Sequence, residues 1–347
     1  MLVNPVIVKE LRGRMRGWRA AVVLVIYLGV LSLTSWMVYL ATQGIASGSS
    51  GSQPSQIGKI LFGALVVFQT IMVSLLTPAF TAGSITSERE QKTYDLLMTT
   101  LLPARSIIFG KLGSALAYVV LLILAIAPIE SLAFMFGGVS PEEIILSQVV
   151  MLAAALLCAS IGIFWSSLLR SSVASNVLTY GTLVFQLIGI PFLYLTIISI
   201  LGAFNYSPTG GGLTTQPAFF YGSGIVLSSH PMIAMGLSET FYSQGDPLFI
   251  YTSTRILNGH TLWVVSPWLL FCIEAVLISA LLILLSIRFV RPIRYRSHAR
   301  QAPQPTMLPV PASTVPAPPL PVAQPLESTE PSMQRSNEVD EQQPVQG

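Results

Sequence analysis

The feature of this sequence that most constrains its fold is a series of six long apolar segments. Each is close to or above the ~20 residues that an α-helix needs to cross ~30 Å of hydrocarbon. Hydrophobic residues make up 52% of the chain and charged residues only 10%, against about a quarter charged in soluble domains. The sequence therefore predicts an all-α integral membrane protein with six transmembrane helices: Ala20–Ala41, Ile60–Phe80, Ile107–Phe136, Ile144–Leu169, Val173–Phe204 and Leu262–Ile287.

The basic residues indicate how these spans are oriented. Of the 18 Lys and Arg residues, only Lys59 and Arg255 fall in the connections after spans one and five. The positive-inside bias assigns the regions that carry the others to the cytoplasm. We therefore expect a multi-pass protein of the plasma membrane with cytoplasmic N and C termini. This topology, with membrane lipids as neighbours, accounts for the net charge of +3 without a nucleic-acid partner.

Composition divides the chain into three regions. Residues 1–19 predict a cytoplasmic amphipathic helix at the membrane interface, because apolar residues recur at helical spacing beside basic ones. A positively charged topology signal without fixed structure is the alternative. Residues 20–296 form the six-span domain. Residues 297–347 are rich in proline and predict a disordered cytoplasmic tail, either an inert extension or a ligand for a partner domain.

The external loop of the six-span domain, residues 205–261, contains an apolar piece of its own. Ile225–Leu237 is interrupted by His230 and Pro231 and is too short to cross the membrane. A seventh crossing would also place the arginines that follow the last span outside, against the positive-inside bias. We expect a re-entrant or surface-lying element here.

Prolines and small residues predict where the spans bend and pack. Pro128 is expected to kink span three, and Pro191 to bend span five, which is too long for one straight crossing. Cys158 and Cys272 lie inside spans and are expected to be packing residues. Small side chains at strict four-residue spacing in span four predict a groove for helix packing, within the chain or at a dimer seam. These are Ala154, Cys158, Gly162 and Ser166.

One charged stretch, Ile85–Lys111, separates two of the apolar runs. Ser87 followed three residues later by Glu90 has the pattern of a capping box, in which each side chain bonds the backbone N–H of the other residue. Glu88 and Glu90 also suit the positive end of a helix dipole. We expect a capped amphipathic helix on the cytoplasmic side, starting at Ser87 and stopping near Pro103.

The sequence carries no nucleotide-binding or catalytic motif. Lys59 and Lys111 each follow a glycine, but Gln53 and Arg105 occupy the positions where a phosphate-binding loop needs its earlier glycine. There is no H-E-x-x-H, no G-x-S-x-G and no Cys and His spacing suited to a metal. We therefore expect neither an enzyme nor a metal or cofactor site in this chain.

Two carboxylates, Glu130 and Glu274, lie inside predicted spans. A carboxylate in hydrocarbon costs several kcal/mol unless it is protonated, paired or facing water. Each is a candidate for a polar patch on a translocation path. The alternative is a hydrogen bond to a polar residue of another span, such as Gln69, Gln148 or Gln186.

Several stretches together resemble the type-2 ATP-binding-cassette (ABC) transporter permeases, which are chiefly exporters. The stretches are NPVIVKELR at residues 4–12, GSITSEREQKTYDLL at residues 83–97 and the pair Gly110–Lys111. Six spans with a long external connection before the last complete the resemblance, which covers residues 1 to about 296.

This resemblance implies an exporter permease subunit of unknown substrate that is not itself an enzyme. In that family the Glu-Arg-Glu helix resembles a coupling helix seated in a groove of a separate ATPase subunit, which binds ATP and Mg²⁺. The N-terminal amphipathic helix flanks the same interface. A second permease chain, identical or paralogous, completes the transporter. The implied ATPase-coupling residues are Glu88, Arg89, Glu90, Thr93, Tyr94, Leu96 and Leu97.

Two other classes of function are compatible with parts of this sequence. A non-transporting membrane scaffold or regulatory anchor would recruit a soluble partner through the charged stretch and the Pro-rich tail. An integral-membrane enzyme would use Glu130 or Glu274, although no paired catalytic motif accompanies either residue. Cotranscription with an ATPase gene would favour the transporter.

Overall fold

The structure is a computed structural model that describes residues 13, 18–48, 54–93, 103–204, 217–244, 247–253 and 262–290. These residues belong to one compact unit, Met1–Ile293. The predicted N-terminal amphipathic helix lies almost entirely outside the described residues, and the Pro-rich tail lies wholly outside them. Both stay predictions.

Six helical segments of the described chain are long and apolar enough to cross a membrane, which confirms the predicted all-α membrane fold. The segments are Ala20–Gln43, Ser55–Glu90, Ala104–Met135, Pro141–Leu168, Ser172–Ile200 and Pro267–Val290.

The described residues form these elements in chain order: α1 (Trp18–Gly48), α2 (Pro54–Thr81), α3 (Thr86–Glu90), α4 (Ala104–Ala125), α5 (Ala127–Met135), α6 (Pro141–Leu168), α7 (Ser172–Val184), a π-helical segment (Phe185–Gly189), α8 (Ile190–Phe204), α9 (Pro217–Ser228), α10 (Pro231–Ser243), β1 (Ile250–Ser253), β2 (Leu262–Val265) and α11 (Pro267–Val290).

Helix α6 is the centre of the bundle and packs against α2, α4, α7 and α11. Small side chains on α6 allow this close approach, since all four residues of the predicted small-residue stripe are buried. The closest approach is at Gly162, where an added Cβ would lie 2.1 Å from Oγ1 of Thr81 on α2. At this point the stripe packs within the chain.

Span three is broken next to its proline, as predicted. α4 ends at Ala125, and α5 begins at Ala127 with Pro128 in its first turn. Proline has no N–H to donate and its ring crowds the preceding turn, so an unbroken helix is disfavoured there. Ile126 joins the two helices and is fully buried. Glu130 therefore lies in the first turn of a new helix.

Span five bends through the π-helical segment between α7 and α8. This wider turn lies immediately before Pro191, where the sequence predicts a bend. Because proline cannot donate a hydrogen bond, the carbonyl of Leu187, four residues earlier, loses the partner that an α-helix would give it. The prediction of a bend in this span is confirmed.

The last span begins later than the sequence predicts. Leu262–Val265, which we expected to be helical, form strand β2 and pair antiparallel with Ile250–Ser253 of β1. Aromatic and β-branched residues fit a strand well, and a residue that precedes proline is restricted to extended conformations. The helix accordingly starts at Pro267.

The long loop contributes two short helices joined by a tight turn. α9 and α10 have 12 and 13 residues, so each is too short to cross ~30 Å. His230, in the turn, is buried, and its Nδ1 accepts the N–H of Ile233 at the start of α10. Its Nε2 reaches the carbonyl of Leu187, midway along span five, at 3.0 Å. The turn therefore enters the bundle, which favours the re-entrant alternative.

We expect Gly162→Ala to weaken the packing of α6 on α2. The added Cβ would displace Thr81, and overpacking of this kind costs about 1–3 kcal/mol. The matched control is Gly181→Ala in α7, where an added Cβ meets no atom within 4 Å and alanine improves helix propensity. Thermal unfolding in detergent should show a lower midpoint for Gly162→Ala alone. Equal midpoints for the two variants would contradict this packing.

Candidate functional site at the Glu88 segment

The charged stretch after α2 forms a compact corner, residues 82–93, which we call the Glu88 segment. Its first turn is bound to α6, because the hydroxyl of Ser166 accepts hydrogen bonds from the N–H groups of Ile85 and Thr86 at 2.9 and 3.2 Å. Ser175 of α7 donates to the carbonyl of Ala82 at 2.5 Å. Backbone N–H groups at the start of a helix lack helical partners, and Ser166 of α6 supplies a partner for two of them here.

A buried ion pair joins the same segment to span three. Lys111 of α4 is only 4% exposed, and its Nζ donates to Glu88 Oε1 at 2.7 Å and to the carbonyl of Ser84 at 2.8 Å. Glu88 is 26% exposed. Removing one partner of such a pair leaves the other charge poorly compensated in a buried place. The pair therefore ties the Glu88 segment to α4.

Glu90 and Arg89 bind the connection between spans four and five. The Glu90 carboxylate accepts from the N–H and the hydroxyl of Ser172 at 2.7 and 2.8 Å. Ser172 begins α7, and a carboxylate at a helix N-terminus is favoured by the helix dipole. Arg89 Nη1 donates to the carbonyl of Leu169, the C-cap residue of α6, at 2.8 Å. Both ends of this short connection are thus bonded to the Glu88 segment.

The capping box predicted between Ser87 and Glu90 does not form. α3 begins at Thr86, and its N-cap residue Ile85 makes no side-chain capping bond. The Glu90 carboxylate bonds Ser172, which is distant in sequence. The local pattern was therefore overridden by a contact between segments, and Glu90 caps another helix rather than its own.

The helix in this segment is also shorter than predicted. We expected it to continue to near Pro103, but α3 ends at Glu90. Lys92 adopts a φ of 57°, a left-handed conformation that stops a helix. Thr93 then turns back, with its N–H bonded to the carbonyl of Glu88 at 3.0 Å.

The predicted ATPase-coupling residues fall into three groups. The triplet 88–90 makes contacts within the chain, with Glu90 also exposed to solvent. Thr93 is exposed, together with its neighbours Gln91 and Lys92. The exposed turn 91–93 and the outer side of Glu90 are therefore the accessible part of the segment. Three of the residues lie outside the described chain: Tyr94, Leu96 and Leu97.

Three residues that hold the segment in place were not predicted from the sequence to be part of the site. Lys111 lies inside predicted span three, and a cation in an apolar span needs a partner, so a usable signal was present. Ser166 was predicted only as a small packing residue. Ser172 gives no local signal, because its partner lies 82 residues away in the chain.

The two candidate carboxylates have different surroundings. Glu130 is fully buried, and one of its oxygens accepts a hydrogen bond from the amide of Gln148 on α6. Ser229, in the turn between α9 and α10, donates to Glu274 Oε2 at 2.6 Å. A role for either carboxylate on a translocation path stays a prediction. Within the described parts of the chain, His, Cys, Asp and Glu form no group of three that could hold a metal ion.

We expect Lys111→Met to destabilise the Glu88 segment. Losing one partner of a fully buried ion pair costs roughly 3–5 kcal/mol, and about 2–3 kcal/mol is expected here because Glu88 is partly exposed. Lys92→Met, the same substitution at an exposed lysine, is the matched control. Amide hydrogen exchange over residues 82–93 should accelerate only in Lys111→Met. Equal exchange in both variants would show that the pair contributes little.

We expect His230 to stabilise the bundle only in its neutral form. Nδ1 accepts the α10 cap bond, so Nε2 carries the proton that faces the Leu187 carbonyl. Burial lowers the pKa of His230 below its ordinary value of about 6.5. Its contribution is therefore present above pH ~6.5 and lost as pH falls through the lowered folded pKa.

The variants His230→Ala and His230→Asn separate the two bonds of this histidine. His230→Ala loses both and should cost roughly 1–3 kcal/mol. His230→Asn keeps a helix-capping acceptor but is too short to replace the bond to Leu187, so an intermediate loss is expected. Thermal midpoints measured across acid and neutral pH should show less acid sensitivity in both variants than in the native protein. Unchanged acid sensitivity would remove His230 from this role.

Comparison with known proteins places most of this chain within one family description. The sequence model of the family described as "ABC-2 family transporter protein" matches residues 5–256. No curated protein matches the chain.

Proposed function

The chain belongs to the ABC-2 family of transporter proteins, and from this premise we propose that it is the permease subunit of an ABC exporter whose Glu88 segment receives the movement of a separate ATPase subunit. Members of this family form the transmembrane component, are not themselves the ATPase, and generally work with an ABC ATPase subunit. In the proposed assembly that partner binds ATP and Mg²⁺. The permease lies in the plasma membrane, and its Glu88 segment faces the cytoplasm.

The bonding of the Glu88 segment to several spans is the observation that carries this proposal. The segment continues directly from α2, is ion-paired to α4 through Lys111, and is hydrogen-bonded to α6 and α7 through Ser166 and Ser172. A force applied to its exposed turn would therefore reach four helices at once. This is the property that a receiver of mechanical work needs.

The segment suits rigid-body movement better than local bending. Its backbone at residues 82–86 is bonded to α6 and α7, and Lys111 is buried beneath it. Packed interfaces of this kind shift between discrete arrangements rather than deform continuously. In the proposed cycle, ATP-driven closure of two ATPase subunits moves two such segments and switches the spans between inward-facing and outward-facing states.

Span five supports the pairing of two permease chains in this proposal. Only 6% of its most apolar stretch is buried within the chain, against 61% for span four. Large apolar side chains such as Val177, Ile188 and Phe192 are left exposed along it. Such a face must contact lipid or another protein, and a second permease chain would cover it.

Copurification with the ATPase tests the proposed interface. Glu90→Lys and Leu97→Asp should each lower the amount of ATPase recovered with the permease by roughly tenfold or more, as expected when an interface residue worth at least ~1.4 kcal/mol is lost. Ser172→Ala removes the hydroxyl partner of Glu90 without changing its charge. If Ser172→Ala still copurifies with native amounts of ATPase, the loss in Glu90→Lys is due to the surface that contacts the ATPase and not to the lost bond with Ser172.

Two outcomes would count against the proposed function. Native levels of ATPase with both Glu90→Lys and Leu97→Asp would remove the Glu88 segment from the interface. A stable complex whose ATPase activity drives no substrate movement in reconstituted vesicles would favour the non-transporting scaffold. Gly29→Ala in α1, where an added Cβ meets no atom within 4 Å, serves as the expression and folding control.

A further inference from the structure

A cavity of about 330 Å³ lies between α2 and α10. Its floor is apolar and includes the buried side chains of Phe62, Val66 and Met235. Its mouth is open, because the lining residues Gly63 and Gly236 are exposed and carry no side chain. The volume falls within the ~300–1,000 Å³ range of ligand-binding pockets. We call this space the α2–α10 cavity.

Two charged side chains, Lys59 of α2 and Glu239 of α10, also line the cavity, and both lie near the start of α6. On the α10 side, the Tyr242 hydroxyl is 3.4 Å from Oε2 of Glu142, in the first turn of α6. On the α2 side, a Cβ added at Gly58 would overlap a backbone oxygen of the turn that precedes α6. The positive and the negative group therefore share one end of the cavity.

The apolar floor extends from this charged end into the bundle. At ~1.5 Å per residue, Phe62 and Val66 lie about 4.5 and about 10 Å beyond Lys59 along the axis of α2. On α10, Met235 lies one turn from Glu239 toward the buried His230 turn. Charged groups at one end and an apolar wall beyond them match the headgroup and the chain of an amphiphilic molecule.

The position of the cavity on α2 indicates where such a molecule comes from. Most of the candidate membrane span Ser55–Glu90 is α2, and Lys59 lies near one end of that span. Ile60 and Val67 are large apolar residues exposed on the same helix. A span of this kind faces hydrocarbon, and a lysine near its end reaches the headgroup level. The cavity mouth therefore opens where membrane lipid is the most abundant apolar molecule.

The two charges select the headgroup. Within the described parts of the chain, neither Lys59 nor Glu239 forms a hydrogen bond or an ion pair. Burial and the carboxylate of Glu143 raise the pKa of Glu239, whereas Lys59 lowers it. A cationic group in the cavity would act in the same direction as Lys59 and favour the ionised carboxylate. A ligand that carries both an anionic and a cationic group complements both side chains.

We propose that the α2–α10 cavity binds one zwitterionic phospholipid whose headgroup carries a primary ammonium. The Lys59 ammonium donates to the lipid phosphate, and the headgroup ammonium donates to the Glu239 carboxylate. One acyl chain covers the apolar floor, where the flexible side chains of Met232 and Met235 adapt to it. This inference needs only the membrane location of the chain and does not rest on the proposed coupling to an ATPase.

Native mass spectrometry of the full-length protein in detergent tests the site by titration with palmitoyl-oleoyl phosphatidylethanolamine. Gly63→Leu and Gly236→Leu should each lose one tightly bound lipid. A Cβ added at either glycine meets no protein atom within 4 Å, so the new side chain has room in the cavity mouth. Leucine also raises helix propensity, so both variants should fold. Gly181→Leu, the same change at an open position of α7, is the matched control and should keep the lipid.

The headgroup contacts are separated with choline and glycerol phospholipids that carry the same chains. The native protein should bind the ethanolamine lipid roughly threefold or more tightly than either, as expected for charged contacts partly open to water. Glu239→Gln should bring the ethanolamine lipid to the affinity of the choline lipid. Lys59→Gln should weaken all three lipids, because each carries a phosphate.

Four results would overturn the proposal. Tight binding that is equal in the native protein and both leucine variants would place the lipid elsewhere. Equal native affinity for the three headgroups would contradict the charge argument. A dimer that is lost in the leucine variants, with no tight lipid, would assign the cavity to a second copy of the chain. Lower thermal midpoints in both leucine variants, with no lipid on the native protein, would show that another part of this chain fills the cavity.

Discussion

Every polar group placed at membrane depth in this protein has to find its partner inside the protein, and much of the structure follows from that requirement. Pro191 releases the Leu187 carbonyl within span five, and His230, in the turn between α9 and α10, donates to it. The N–H groups at the start of α3 bond to the Ser166 hydroxyl. Hydrogen bonds to these backbone groups thus help to fix the positions of the α9–α10 turn and of the Glu88 segment.

The same requirement explains how the Glu88 segment is held in place although its helix has only five residues. A helix this short has no intrinsic stability. Its shape comes instead from Lys111 beneath it and from Ser166 and Ser172 on the neighbouring spans. The Glu-Arg-Glu triplet 88–90 makes its bonds inside the chain, and the turn 91–93 and the outer side of Glu90 are the accessible part of the segment.

The sequence predicted the elements with local causes and missed those with distant ones. Apolar length defined all six spans, and Pro128 and Pro191 located the breaks, because a missing N–H acts within one turn. The prediction that Leu262–Val265 begin the last transmembrane helix was wrong, because hydropathy alone does not distinguish an apolar strand from an apolar helix. The capping box at Ser87 was also wrong, because a residue 82 positions away competes for Glu90.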